Sequence, residues 1–148
     1  MENTNAAQLF AVVAGAFYAA LGVVGFAFTG FTGVVTDGGD NIIGFDLNIF
    51  HNVVHLAIGF GFLIASRLDA TITQGIVIGA GLVYILAALL GFLNQLQILS
   101  IDESTSPINF FHLVSGSAAV LFGLIGTRQT EAEFDSGERG GGRRSARA

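Results

Sequence analysis

The sequence predicts an all-α membrane protein, with four transmembrane helices arranged as two tandem, parallel helical-hairpin repeats. Three observations predict it. Four apolar stretches each approach the roughly 20 residues that a bilayer-spanning helix needs. Apolar residues make up 52% of the 148 and charged residues only 11%, against roughly 25% charged in a soluble domain. An Asn-His-Gly pattern also occurs twice, at Asn52 and again at Asn109. A soluble chain this short cannot bury so much apolar surface, so lipid must cover part of it.

The first stretch runs from Ala7 to Thr29. It lacks a basic leader and is too long for the apolar region of a signal peptide, so it reads as an uncleaved first helix. Gly30 to Gly44 holds five Gly and two Asp and reads as a loop. The second stretch runs from Phe45 to Ser66, with Asp46 at its entrance, and Arg67 to Thr71 is a tight turn. The third stretch, Ile72 to Leu93, carries many small residues, including the pair Gly75 and Gly79. In lipid such residues let helix backbones approach closely. Asn94 to Pro107 is polar, with Pro107 where the first residue of a helix belongs. The fourth stretch is Ile108 to Gly126. Residues 1–127 thus form the transmembrane domain. Residues 128–148 are charged, then rich in Gly and Arg, and are expected to be a disordered tail.

Orientation follows from the basic residues. All six are Arg, at 67, 128, 139, 143, 144 and 147. With four spans, the middle turn and the tail share a side. The other two loops carry acids and no basic residue. The expected location is the cell membrane, multi-pass, with both termini cytoplasmic.

Asn52-x-x-His55-Leu56-x-x-Gly59 recurs as Asn109-x-x-His112-Leu113-x-x-Gly116. Ala14-Gly15, Tyr18 and Gly25-Phe26 recur as Ala80-Gly81, Tyr84 and Gly91-Phe92. Helices one and three therefore align at an offset of 66 (25 to 91), and helices two and four at 57 (52 to 109). An even number of spans per repeat gives both halves one orientation, related by an axis along the membrane normal.

The repeat concentrates polar residues. On an ideal helix, Asn48, His51, Asn52, His55 and Gly59 share an arc of roughly 100°. Asn109, His112 and Gly116 share the equivalent face. Such faces are expected to point inward, in the outer half of the bilayer. The plainest role is structural: Asn and His capping or bridging helices. A metal role is the sharper alternative. His51 and His55 stand four residues apart on one helix face, and His112 supplies a third imidazole. Asp46 or Glu103, equivalent in the two repeats, is the candidate oxygen ligand. Three nitrogens and a carboxylate suit Zn²⁺ or Cu²⁺. Haem is a third reading, with two His as axial ligands. Tyr18 and Tyr84 are mid-span candidates to support the His cluster from behind. A proton pathway is disfavoured, because no carboxylate lies at the bilayer centre.

Asn41-x-x-Gly44 followed by Asn48-Ile49-Phe50-His51-Asn52-Val53-Val54-His55-Leu56 resembles the signature of an uncharacterised prokaryotic family of four-helix integral membrane proteins, domain of unknown function 4383. Asn109-Phe110-Phe111-His112-Leu113 is similar to that family's later Asn-Trp-Leu-His-Leu segment, with Phe110 in place of Trp. The resemblance implies a four-helix membrane protein and no activity.

The expected function is that of a structural or accessory membrane protein with an intramembrane Asn/His cluster. The alternative is a metal- or haem-binding membrane protein. Having no cofactor is favoured over either group. No nucleophile–base pair or phosphate loop occurs, so an enzyme is not the expected reading. The absence of Cys excludes thiolate ligands and disulfides. The expected partners are the lipid bilayer and either a second copy or another membrane protein, with no nucleic acid.

Overall fold

The computed structural model describes residues 4–31, 34, 40–42, 45–99, 101 and 103–145, with side chains at 4–31, 34, 47–99, 101 and 103–137. Four helices carry the architecture: α1 (Ala6–Thr29), α2 (Ile49–Ala65), α3 (Ala70–Phe92) and α4 (Pro107–Ser145). A short antiparallel hairpin, β1 (Asp40–Ile42) and β2 (Phe45–Leu47), precedes α2. A single 3-10 turn, Gln97–Leu99, lies between α3 and α4. Three helical segments, α1, α3 and residues 107–137 of α4, are long and apolar enough to cross a membrane; α2 has 17 residues.

Local chemistry sets the helix ends. Asn5 Oδ1 accepts from the Gln8 backbone N–H at 2.9 Å, and Gln8 Oε1 accepts from the Asn5 N–H at 3.2 Å. This reciprocal box satisfies two orphan donors at the start of α1. α1 stops at Gly30, whose φ of 61° suits a residue without Cβ. Asn48 caps α2 by accepting from the His51 N–H at 2.8 Å. The second apolar stretch therefore becomes helical at Ile49 rather than Phe45, because Phe45–Leu47 pair with Asp40–Ile42. Pro107 is the first residue of α4, the position expected of it.

α4 also continues past Thr127, through the region expected to be a disordered tail. The difference has a physical reason. Arg128 to Glu133 are mostly good helix formers extending a helix already nucleated. Side-chain ties hold the extension: Gln74 Nε2 donates to Thr130 Oγ1 at 2.7 Å, and the Ala6 N–H donates to Gln129 Oε1 at 2.9 Å.

α1 packs chiefly on α2, and α3 on α4. Glycines permit both approaches. A Cβ on Gly15 would stand 2.9 Å from the Gly59 carbonyl oxygen, and one on Gly81 would stand 2.7 Å from that of Gly116. Gly75 and Gly79 differ, because a Cβ there would meet nothing within 4 Å. The buried core is small: Ala7, Ala11, Ala14, Tyr18, Phe62, Val77, Tyr84 and Ala119. Large apolar side chains face outward instead, with Val13, Val23, Ile64, Val83 and Val114 at 61–69% exposed. A surface this apolar is suited to lipid.

Candidate metal centre

The first turns of α2 and α4 bring the polar residues together. Asn48, His51, Asn52, His55, Asn109 and His112 are all buried, none more than 4% exposed. The asparagines and the histidines then play different parts.

Each asparagine has a structural job. Asn48 caps α2 and donates through Nδ2 to the Ile98 carbonyl at 3.0 Å, which holds the 3-10 turn over the end of α2. Asn52 Nδ2 donates to Thr29 Oγ1 at 2.8 Å, joining α2 to the end of α1. Asn109 Nδ2 donates to the carbonyls of Glu103 and Ser104, at 3.1 and 3.2 Å, folding the loop onto α4. The Oδ1 atoms of Asn52 and Asn109 have no hydrogen-bond partner. They press against the Cα positions of Gly25 and Gly91, where any Cβ would collide with them. A weak Cα–H···O contact is the partner this geometry allows.

The histidines are placed differently. His51, His55 and His112 each offer a ring nitrogen, and these atoms all lie within 4.8 Å of one another. The His51 ring centroid is 4.5 Å from that of His55 and 6.0 Å from that of His112. His51 Nδ1 lies 2.9 Å from the Leu99 carbonyl oxygen. A carbonyl only accepts, so Nδ1 carries the proton and Nε2 presents its lone pair. A backbone carbonyl behind a ligating imidazole is the usual second support of a metal site. Both ring nitrogens of His55 and Nδ1 of His112 are buried with no hydrogen-bond partner. Buried polar atoms in native proteins are nearly all partnered, so three such nitrogens at one point call for an explanation.

Two tyrosines back the cluster. Tyr84 meets His112 edge-on at 5.2 Å, Tyr18 lies 5.7 Å from His55, and the two phenol rings are 5.3 Å apart. The Tyr18 side chain interacts with those of Ser115 and Tyr84. The oxygen ligands expected from sequence do not join the cluster. Glu103 is exposed and lies outside the trio, serving Asn109 through its backbone carbonyl. The Asp46 carboxylate lies outside the described residues.

Two apolar clefts flank the trio. One, between α2 and α3, has a volume of about 110 Å³ and is lined by His51, Val54, His55, Tyr84, Ala87 and His112, among others. The second, between α1 and α4, has a volume of about 160 Å³ and is lined by Phe17, Leu21, Gly25, His55, Ile108 and Phe111, among others. Under the offsets of 66 and 57, Ala87 corresponds to Leu21, Val54 to Phe111 and His51 to Ile108. Part of each lining thus corresponds in sequence to part of the other, and His51 lines only the first.

Sequence reasoning missed the Leu99 carbonyl, the Thr29 hydroxyl and the glycine contacts of Asn52 and Asn109. Only the last had a signal, since Gly25 and Gly91 belong to the same repeat as the two asparagines.

The family whose sequence model is described as "Domain of unknown function (DUF4383)" matches residues 8–125, and the chain belongs to that family. No curated protein and no solved structure matches the chain.

Proposed function

We propose that this chain is a four-span membrane protein that holds one transition-metal ion on His51, His55 and His112, in the outer half of the bilayer, with both termini cytoplasmic. The observation that carries the reading is the convergence of three buried imidazoles whose ligand atoms lie within 4.8 Å of one another, two of them without partners for atoms that could ligate. Histidines kept only to bridge helices would be hydrogen-bonded across them, as Asn52 is to Thr29. Three imidazoles bound at about 2.0–2.1 Å would sit roughly 3.4 Å apart, so the set closes on the ion by small side-chain rotations. Imidazole donors suit Zn²⁺ and copper. Haem fits less well, because the clefts flanking the histidines measure only about 110 and 160 Å³, below the roughly 300 Å³ of a cofactor-sized pocket. A purely structural cluster is the second reading, favoured by the Asn–Gly contacts.

Several features support the membrane arrangement. The 17 residues of α2 span about 26 Å, close to the thickness of a bilayer core. The matched pairs Gly15/Gly59 and Gly81/Gly116 support two equivalent hairpins. The distribution of Arg supports cytoplasmic termini. Because the chain has no Cys, orientation is testable with single substitutions. Asp40→Cys and Asp102→Cys should react with an impermeant thiol reagent in intact cells, whereas Asp69→Cys and Ser136→Cys should not.

The metal reading is tested by melting the purified, chelator-stripped protein with and without Zn²⁺ or copper. At a hundred times Kd, binding should add about 2.7 kcal/mol of stability. Acidification should remove that gain, because protons compete for the imidazole lone pairs. Superimposed melting curves with and without each metal would overturn the reading.

A further inference from the structure

We infer that the site prefers a singly charged soft cation, copper(I), to a divalent ion. The inference rests on reading the trio as a metal site and concerns which ion that site selects. All three donors are neutral imidazoles. Among the described residues no carboxylate joins them. The cleft beside them is lined by Val54, Ile58, Val83, Ala87 and Leu99, together with the Tyr84 ring. His51, His55 and His112 are at most 4% exposed, so the ion is withdrawn from water.

Among the described residues, then, the donor set carries no negative charge. Transferring an unpaired charge into an apolar interior is costly, and the charging term grows with the square of the charge. A divalent ion on three neutral donors keeps its full +2, at about four times the charging cost of +1. Zn²⁺ would have to recruit an anion as its fourth ligand in an apolar cleft. Copper(I) leaves only +1, and its filled d shell accepts three nitrogens in a plane. The Leu99 carbonyl adds a favourable dipole behind His51, 2.9 Å from Nδ1, and partly offsets that single charge.

The experiment uses the full-length protein in detergent, stripped with chelator and kept anaerobic. It is titrated separately with copper(I), with Ag(I) as a redox-silent stand-in, and with Zn²⁺, with binding read by competition against a chromophoric chelator. The expected result is one equivalent of copper(I) or Ag(I) bound at least about tenfold more tightly than Zn²⁺. His51→Gln and His112→Asn should each lose that binding while melting, without metal, near wild type. Asp46→Asn should leave it unchanged. Tighter binding of Zn²⁺ than of copper(I) would overturn the inference and leave the metal site standing. Loss of binding in Asp46→Asn would also overturn it, because a carboxylate would then share the site. No binding of any of the three ions would overturn the inference and the metal reading together.

Discussion

The cleft between α2 and α3 and the cleft between α1 and α4 are built from corresponding residues, yet only the first gathers three imidazoles. Both are lined by His55. Several corresponding positions differ, Val54 and Phe111 or Ala87 and Leu21 among them, but only the pair His51 and Ile108 exchanges an imidazole for an apolar side chain. His51 is held by Leu99 and faces the other two histidines. Ile108 packs instead with Leu47 and Ile101 in a small apolar cap. The lesson is a division of labour. The repeated residues hold the frame, and the residue that breaks the repeat adds the third imidazole.

The largest expected effect comes from erasing the difference. His51→Ile copies the Ile108 side onto the His51 side. It should weaken metal binding by about 100-fold or more, since the loss of a supporting partner alone already costs 10–100-fold. Competition against a chelator of known affinity measures it. Undiminished binding would show that the asymmetry carries no function.

Next come the shared clamps. Gly25→Ala and Gly91→Ala each drive a Cβ into an asparagine amide, and each should cost about 1–3 kcal/mol, as overpacking does. Gly75→Ala and Gly79→Ala meet open space and should stay within about 0.5 kcal/mol of wild type. Thermal unfolding of the four variants in one detergent checks this. A marked inequality between Gly25 and Gly91 would break the equivalence of the two sides.

The reverse exchange should be milder. Ile108→His puts a polar ring into the cap of Leu47 and Ile101, at a cost on the order of 1 kcal/mol. It should not raise the binding capacity above one equivalent, because a second ion would need His55 and His112, which already serve the first. A second equivalent by elemental analysis would show the two clefts to be interchangeable.

The smallest effect separates the tyrosines. Ser115, a partner of Tyr18, corresponds to Ile58 on the other side. Tyr18→Phe should therefore cost about 0.5–1.5 kcal/mol, and Tyr84→Phe less, on the scale of one hydrogen bond. Equal melting temperatures for the two variants would contradict that ranking.

How much of this was legible in the sequence follows from where the information sits. The helices, the Asn–His–Gly repeat and the meeting of His51, His55 and His112 were legible, because helical period and an internal offset place side chains on faces. Pro107 was legible from its missing N–H. The β1–β2 hairpin was not, since a Gly- and Asp-rich stretch resembles any loop. The continuation of α4 was not, because its ties to Ala6 and Gln74 join residues far apart in the chain. The Leu99 carbonyl was the least legible of all. It is a backbone atom, supplied by a 3-10 turn that Asn48 pins in place, and no side-chain pattern encodes it.

The most direct test of the central claim is X-ray absorption on the metal-loaded protein. Three imidazoles meeting on one ion predict three nitrogen neighbours at about 2.0 Å, with the outer-shell scattering of intact rings. His112→Asn should reduce that set to two imidazoles. A first shell with one imidazole or none, unchanged in His112→Asn, would contradict the account.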